Sequence, residues 1–184
     1  MVDLLSLQKY FMLSHIRKGD TVVDFTMGNG NDTLFLSETV GESGKVYAFD
    51  IQEEALVSTR AHLSEMGAPE NYTLICASHH LVKDYVKEPI KAGMFNLGYL
   101  PRSGRKTVTT LRETTMPAVE AALDLLSDDG ILLVAVYPGH EEGSLEGKML
   151  AEYFATLDRR KICVSRFEII NSPTSPYFFI AEKR

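Results

Sequence analysis

A glycine-rich stretch carries the strongest chemical signal in the sequence. It runs Asp24-Phe25-Thr26-Met27-Gly28-Asn29-Gly30-Asn31-Asp32-Thr33, between a predicted strand and a predicted helix. Glycines let backbone approach a ligand closely, and the following helix offers unpaired N–H groups to acceptor atoms. Asp50 and Gln52 end the next predicted strand, roughly 20 residues on, where a carboxylate can accept hydrogen bonds from both ribose hydroxyls. The pattern predicts a nucleoside-binding site.

The same loop indicates which nucleoside cofactor binds. Thr33 stands where a dinucleotide fingerprint has its third glycine, and Asp32 stands where a pyrophosphate would meet the helix N-terminus. An anion there repels a pyrophosphate. S-adenosyl-L-methionine (SAM) has no phosphate and carries an ammonium and a sulfonium, so Asp32, Asn29 and Asn31 are compatible neighbours. Alternatively, Asp32 caps its helix and the asparagines shape the turn; both roles can coexist.

Ser78-His79-His80 follows the third predicted strand, at the sheet edge where ligands bind in open α/β folds. We expect this segment to meet the base of the nucleoside. Adjacent histidines can also bind a metal, but no cysteine or acidic residue lies at helical or turn spacing beside them, so no metal site is expected. The predicted cofactor-binding residues are Gly28, Asn29, Asn31, Asp32, Asp50, Gln52, Ser78 and His79.

Asn96-Leu97-Gly98-Tyr99-Leu100-Pro101 follows the fourth predicted strand and resembles the Asn-Pro-Pro-Tyr loop of methyltransferases that act on amino nitrogens. An acceptor nitrogen must direct a free lone pair at the methyl group, so an amide and a carbonyl hold its hydrogens while an aromatic ring packs on the planar group. Asn96 and Tyr99 suit these catalytic roles. Gly98 replaces the second proline, which leaves room for another acceptor, and an ordinary turn with a buried tyrosine stays an alternative.

A third loop, Tyr137-Pro138-Gly139-His140-Glu141-Glu142-Gly143, follows the fifth predicted strand and should reach the same edge. An alkyl ammonium has no lone pair and cannot attack a sulfonium until it is deprotonated. His140 is the predicted group that removes or steers this proton. A water molecule could do so instead, with His140 only ordering the loop.

The stretch from Pro101 to Arg112 is basic and contains no acidic residue. Its cations are Arg102, Arg105, Lys106 and Arg112. The net charge of −6 argues against a protein that coats nucleic acid nonspecifically, but it allows a local patch of this kind. A solvated loop leading into a helix is the alternative interpretation.

Short β-rich runs alternate with helical stretches, a pattern typical of an α/β fold with a mainly parallel sheet. We predict helices over 4–16, 32–40, 53–66, 107–126 and 146–157, and strands over 21–24, 45–50, 72–76, 94–97, 130–137, 161–170 and 177–182. The last two strands must pair antiparallel because their join is short. Five parallel strands, a C-terminal antiparallel hairpin and helices on both faces make the seven-stranded, Rossmann-like layout of class I methyltransferases.

The composition is that of one globular domain over residues 1–184. The chain is 45% hydrophobic and 24% charged, and its length suffices to bury roughly 70% of the unfolded surface. No apolar run approaches the roughly 20 residues that span a bilayer, and no basic signal region opens the chain, so a cytoplasmic protein without membrane contact is expected. Cys76 and Cys163 lie in apolar runs and are predicted to be buried thiols.

Four motifs together resemble the YtqB/MnmM family, long labelled rRNA methylases, over essentially the whole chain. They are residues 28–33, 50–52, 96–101 and 137–140. The resemblance implies a SAM-dependent methyltransferase that converts 5-aminomethyl-2-thiouridine at the tRNA wobble position to the 5-methylaminomethyl form. One departure is Arg102-Ser103-Gly104-Arg105-Lys106, where the family often has Gly-Gly-Asp-Lys, so this chain is more cationic there.

The implied partner is the anticodon loop of tRNA. Arg102, Arg105 and Lys106 could neutralise its phosphates, while Tyr99 or Tyr137 stacks on the extruded uracil. Oligomeric state stays open, a homodimer included.

Three alternatives remain at this point: a methyltransferase for rRNA or another amine, a noncatalytic protein that binds nucleotides or RNA, and a nicotinamide-dependent dehydrogenase, which Asp32 and Thr33 disfavour.

Overall fold

Strands and helices alternate along the part of the chain that the computed structural model describes, residues 4–98, 110–139 and 141–184. The strands are β1 (Thr21–Asp24), β2 (Lys45–Asp50), β3 (Tyr72–Cys76), β4 (Ile90–Leu97), β5 (Leu126–Val136), β6 (Ile162–Phe167) and β7 (Tyr177–Lys183). The helices are α1 (Leu4–His15), α2 (Asn31–Val40), α3 (Glu53–Glu65), α4 (Val82–Tyr85), α5 (Arg112–Leu125) and α6 (Glu141–Ala155).

The strands form one sheet in the order β3-β2-β1-β4-β5-β7-β6. Strands β1 to β5 pair in parallel, and β7 pairs antiparallel with both β5 and β6. The predicted architecture, a parallel sheet ending in an antiparallel hairpin, is therefore confirmed. The chain winds outward from β1 to β3 and then returns to β4 on the other side of β1. That reversal opens a crevice at the carboxyl ends of β1 and β4, where open α/β sheets bind ligands.

Both faces of the sheet are buried, because successive side chains of a strand point to opposite faces. Along β5, Leu132, Val134 and Val136 join the core under α5 and α6, whereas Ile131, Leu133 and Ala135 join the core under α1 and α2. This explains the continuous apolar run that marked the central strand in the sequence.

Several predicted boundaries were wrong. Helix α6 begins at Glu141 rather than at 146, and Glu141 and Glu142 in its first turn suit the positive end of the helix dipole. Strand β5 begins at Leu126 rather than at 130, with a register shift opposite β4 and with Asp129 at φ 57°. Strand β4 begins at Ile90, four residues before its predicted start.

Two further features differ from the sequence-based expectation. A 3-10 turn over His79–Leu81 runs into α4, a helical segment that the periodicity did not indicate. Cys76 is exposed and Cys163 is half-buried, both as free thiols, so the expectation of buried cysteines was wrong for Cys76. Among the described residues, no helix has the length and apolar character needed to cross a membrane.

Gly93 lies where β4 passes closest to the aromatic core. A Cβ atom built on it would lie 2.8 Å from Cδ1 of Leu132 and 2.8 Å from Cε2 of Phe25. Because both neighbours are fully packed, we expect Gly93→Ala to lower the free energy of unfolding by about 1 to 3 kcal/mol in urea titrations. Gly139→Ala is the matched control, since no described atom lies within 4 Å of its built Cβ. Equal stability of the two variants would contradict this packing.

Candidate active site

The loop after β1 with the first turn of α2, residues 25–33, lies in the crevice where the strand order reverses. We call it the cofactor loop. Its backbone stays bonded to both neighbouring strands: Phe25 N donates to Met94 O at 2.9 Å, and Met27 N donates to Phe49 O at 2.9 Å. The loop therefore lies between β2 and β4 and ends at the first turn of α2. This is the position predicted for the cofactor loop.

Two glycines give this loop its shape. Gly28 and Gly30 have φ angles of 51° and 82°, in the left-handed region that side chains rarely adopt. A Cβ on Gly30 would lie 2.9 Å from Cγ2 of Thr59 on α3, and the Thr59 hydroxyl donates to Gly28 O at 3.0 Å. The loop thus packs directly on α3 and leads into α2, where no side chain caps the helix N-terminus.

Asp24 is a buried carboxylate that holds both ends of the loop. One of its oxygens accepts from the Thr33 hydroxyl at 2.6 Å, and the other accepts from Thr26 N at 3.1 Å. Burial, with the negative charge of Asp32 nearby, raises the pKa of Asp24 to about 7. Asp24 belongs to the glycine-rich motif of the sequence, but no role was predicted for it.

Asp50 ties the loop to the end of β2. Its Oδ2 accepts from Gly28 N at 3.1 Å, and its Oδ1 accepts from Gln52 N at 3.0 Å. Burial raises the pKa of the Asp50 carboxyl above its usual value. Asp50, Gly28 and Gln52, which were predicted to bind cofactor, are thus in mutual contact at one end of the crevice. Their contact with a ribose stays a prediction.

Asn96, the predicted catalytic amide, is bonded to the same loop twice. Its backbone N–H donates to the Thr26 hydroxyl at 2.7 Å, and its Nδ2 donates to Oδ2 of Asp32 at 2.5 Å. On the other side, the Tyr137 hydroxyl donates to Oδ1 of Asn96 at 3.3 Å. The structure therefore joins residues from all three predicted loops. Asp32 makes no capping bond at Gly30, the N-cap residue of α2. Its side chain accepts a hydrogen bond from Asn96 instead.

Burial governs the electrostatics of this cluster. It raises the pKa of Asp32, although the positive charge of Lys9 and the bond from Asn96 oppose the shift. Burial and the charge of Asp32 also raise the pKa of Tyr137. The Tyr137 hydroxyl consequently keeps its proton at neutral pH and acts as a donor to Asn96.

The other predicted cofactor residues have mixed surroundings. Asn29 accepts from the Ser58 hydroxyl at 3.1 Å, and Asn31 is exposed at the start of α2. Ser78 and His80 bond to each other at 2.8 Å. Their contacts with a cofactor stay predictions.

His79 is buried in the core under the cofactor loop. Its Nδ1 donates to Phe25 O at 3.3 Å, and its ring lies edge-on to Phe95. Burial lowers the pKa of His79 to about 4, so the ring is neutral. Its Nε2 has no hydrogen-bond partner among the described residues. These observed contacts are internal, and the predicted contact of His79 with a nucleoside base remains only a prediction.

Five predicted site residues lie outside the described part of the chain: Tyr99, Arg102, Arg105, Lys106 and His140. The residues that flank 99–109 are hydrogen-bonded to each other and to α6. Thr110 N donates to Gly98 O at 3.0 Å, and the Thr110 hydroxyl donates to buried Glu146 at 2.8 Å. Glu146 also accepts from the Thr115 hydroxyl at 2.6 Å. Nothing in the sequence marked Glu146 as buried, since it begins a stretch that was predicted only to be helical.

One expected cation of the basic stretch is already paired. Nε of Arg112 donates to Oε1 of Glu142 at 3.0 Å, so its charge is partly neutralised within the protein. Groups of three or more histidine, cysteine or acidic side chains able to hold a metal ion do not occur in residues 4–98, 110–139 and 141–184.

Residues 46–183 match the family whose description reads "Putative rRNA methylase". The chain belongs to this family. It is 37% identical over 179 residues to the "tRNA (mnm(5)s(2)U34)-methyltransferase, chloroplastic" of Arabidopsis thaliana, which covers 92% of the chain and 65% of that relative. The chain thus spans slightly less than two thirds of the length of this curated relative.

Solved structures with the same fold support the assignment. A "putative rRNA-methylase" from Clostridium thermocellum superposes with a TM-score of 0.96 at 38% identity, over 100% of this chain and 99% of that one. SMU.1697c from Streptococcus mutans, solved in complex with SAH, superposes with a TM-score of 0.90 at 35% identity over 100% and 99% of the two chains. The fold is that of the class I SAM-dependent methyltransferases.

The residues of the crevice fit SAM as the cofactor of this fold. A tight glycine loop, a carboxylate at the end of β2 and an uncapped helix N-terminus line the crevice, and Gly30 packs so closely on Thr59 that a Cβ there would clash. Asp24, Asp32 and Asp50 make the crevice anionic, which suits a cationic ligand and opposes a pyrophosphate.

The raised pKa of Asp24 makes stability depend on pH. The unfolded state loses this proton near pH 4 and the folded state near pH 7, so the burial of Asp24 costs progressively more stability as pH rises through this window. Asp24→Asn cannot ionise. We therefore expect the stability of this variant relative to wild type to increase from pH 5 to pH 8, measured by urea unfolding.

Asp158→Asn is the control for this measurement. Asp158 is exposed, and its bonds from Arg160 lower the pKa of its carboxyl, which stays ionised throughout that pH window. Its stability difference from wild type should be constant between pH 5 and pH 8. A constant difference for Asp24→Asn as well would show that Asp24 is ionised throughout.

Proposed function

We propose that this protein methylates the aminomethyl nitrogen of 5-aminomethyl-2-thiouridine at the tRNA wobble position, giving the 5-methylaminomethyl form. The observation that carries the proposal is the position of Asn96, an amide held against the cofactor loop by Thr26 and Asp32. The name of the Arabidopsis relative, which specifies the mnm5s2U34 position of tRNA, supports this substrate. One domain over residues 1–184 carries the reaction in this proposal.

When bound, SAM supplies a methyl group on positively charged sulfur, which an uncharged nitrogen can attack. Oδ1 of Asn96 accepts a hydrogen of the substrate amine and so directs the nitrogen lone pair away from itself. The proton of the substrate ammonium must leave first, and His140 or a water molecule accepts it. Tyr99 packs on the planar base. The roles of Tyr99 and His140 rest on the sequence pattern.

Recognition of tRNA belongs to the cationic stretch in this proposal. Arg102, Arg105 and Lys106 neutralise phosphates of the anticodon loop, while Tyr99 or Tyr137 stacks on the uracil. A local patch is sufficient because the wobble base is unpaired and no duplex must be opened. The overall charge of −6 therefore does not oppose the proposal.

The family description favours rRNA as a second candidate substrate. Purified protein and SAM should be incubated separately with rRNA and with tRNA from cells that lack this gene, followed by mass spectrometry of the nucleosides. We expect the aminomethyl nucleoside of tRNA to gain one methyl group, and we expect the tRNA of those cells to accumulate the unmethylated precursor. Methylation of rRNA but not tRNA would remove the leading proposal. Cofactor binding without transfer to any RNA would indicate a noncatalytic protein.

Cofactor binding is tested separately from transfer. Asp50→Ala removes the carboxylate proposed to hold the ribose and also frees Gly28 N, so SAM affinity should fall by about 1 to 3 kcal/mol in calorimetry. Glu65→Ala removes an exposed carboxylate at the far end of α3 and serves as the charge-matched control. Equal affinities of the two variants would contradict the assignment of Asp50.

A further inference from the structure

Three side chains from three separate loops form one hydrogen-bonded chain beside the crevice. Asp32 lies in the first turn of α2, Asn96 near the end of β4, and Tyr137 just after β5. Nδ2 of Asn96 donates to Asp32 at 2.5 Å, and Oδ1 of Asn96 accepts from Tyr137 at 3.3 Å. The Nδ2 and Oδ1 atoms of the Asn96 carboxamide are therefore both hydrogen-bonded within the protein.

The partners determine which way the carboxamide faces. An ionised carboxylate only accepts hydrogen bonds, so Asp32 can bond Nδ2 of Asn96 but not Oδ1. The Tyr137 hydroxyl keeps its proton and donates to Oδ1 from the opposite side. A flip of the amide would set oxygen against the carboxylate and would lose the bond to Asp32, whereas the Tyr137 hydroxyl can donate to Oδ1 or accept from Nδ2. Without Asp32, the two orientations would differ little in energy.

The orientation matters for methyl transfer to an amine. Oδ1 holds an N–H of the acceptor and leaves its lone pair free to attack. Nδ2 in the same place would donate to that lone pair and block the attack. Methyl transfer to an amine therefore requires that Oδ1 of Asn96 faces the acceptor. The side chain of Asn96 alone does not fix this orientation.

We propose that Asp32 is a positioning residue for methyl transfer, which orients the carboxamide of Asn96 so that its oxygen accepts a hydrogen of the substrate amine. This inference rests on the proposed function, because it assumes an amine acceptor. Tyr137 bonds to this oxygen through its hydroxyl, but Asp32 is the partner that distinguishes the two orientations. The fixed acceptor character of Asn96 selects nucleophiles that carry N–H hydrogens over ring nitrogens that present only a lone pair.

The proposal differs from a role of Asp32 in cofactor binding alone. A cofactor contact would change SAM affinity and would act independently of Asn96. A positioning residue acts through Asn96, so its loss costs nothing once that side chain is absent. A double-mutant cycle separates the two.

The first experiment measures single-turnover methyl transfer to tRNA at saturating SAM in Asp32→Ala, Asn96→Ala and the double variant. Each single variant should transfer on the order of 10- to 100-fold more slowly than wild type. The double variant should match Asn96→Ala within about twofold. Asp32→Asn keeps an oxygen that can accept from Nδ2 and should transfer faster than Asp32→Ala. Losses that multiply in the double variant, or an Asp32→Ala defect confined to SAM affinity, would overturn the proposal.

The second experiment does not depend on activity. The side-chain amide of Asn96, assigned by its absence from the Asn96→Ala spectrum, is followed by 15N-1H NMR. Loss of the bond to the carboxylate should shift this resonance upfield in Asp32→Ala. The side-chain amide of Asn71, which donates to Ser37 O and Gly41 O, should stay unchanged and so reports an intact fold.

If Asn71 shows that Asp32→Ala is unfolded, the nearly isosteric Asp32→Asn takes its place, and a smaller shift of the Asn96 resonance is expected. An unmoved Asn96 resonance in a folded variant would overturn the positioning role. Failure of wild-type protein to methylate tRNA would contradict the proposed function, and the NMR result would still decide whether Asp32 orients Asn96.

Discussion

The double attachment of Asn96 to the cofactor loop is the interaction on which the rest of the site depends. The loop follows β1 and Asn96 is the last residue but one of β4, so the two belong to neighbouring strands with aligned carboxyl ends. Backbone bonding to Thr26 and side-chain bonding to Asp32 make them one rigid unit. Because methyl transfer requires reacting atoms held close and in line, the proposed reaction needs a fixed distance between these two loops. The sheet supplies that distance.

The acidic side chains of this site cost electrostatic free energy, because they are removed from water and lie close together. Asp24 is buried and Asp32 and Asp50 are half-buried near it, and partial or full burial raises the pKa of each. Stacked Phe25 and Phe95, with ring centres 4.1 Å apart, keep the region beneath them apolar. Hydrogen bonds from Thr33, Gly28 and Asn96 satisfy the carboxylates without cancelling their charge. Such a cluster weakens the fold but gives a cationic ligand a favourable potential.

The sequence predicted the topology and the location of the site, because both follow from periodicity and from the common edge at which parallel strands end. It could not predict the pairings within the site. Asp32 and Asn96 are 64 residues apart, and which of their atoms meet depends on strand register and loop shape. Glu146 and His79 show the same limit, since a carboxylate on a helix and a histidine after a strand gave no sign of burial. Glu141 and Glu142 were predicted to lie in a loop. Acidic side chains stabilise the first turn of a helix, but the sequence alone did not show that α6 begins at Glu141.

The residues on either side of 99–109 are held together beside Asn96. Thr110 N donates to Gly98 O, and buried Glu146 accepts from the hydroxyls of Thr110 and Thr115. The two flanks therefore meet at one point of the fold, two residues from Asn96. Residues between them, such as Arg102, Arg105 and Lys106, can consequently differ in charge while these bonds keep Asn96 in place.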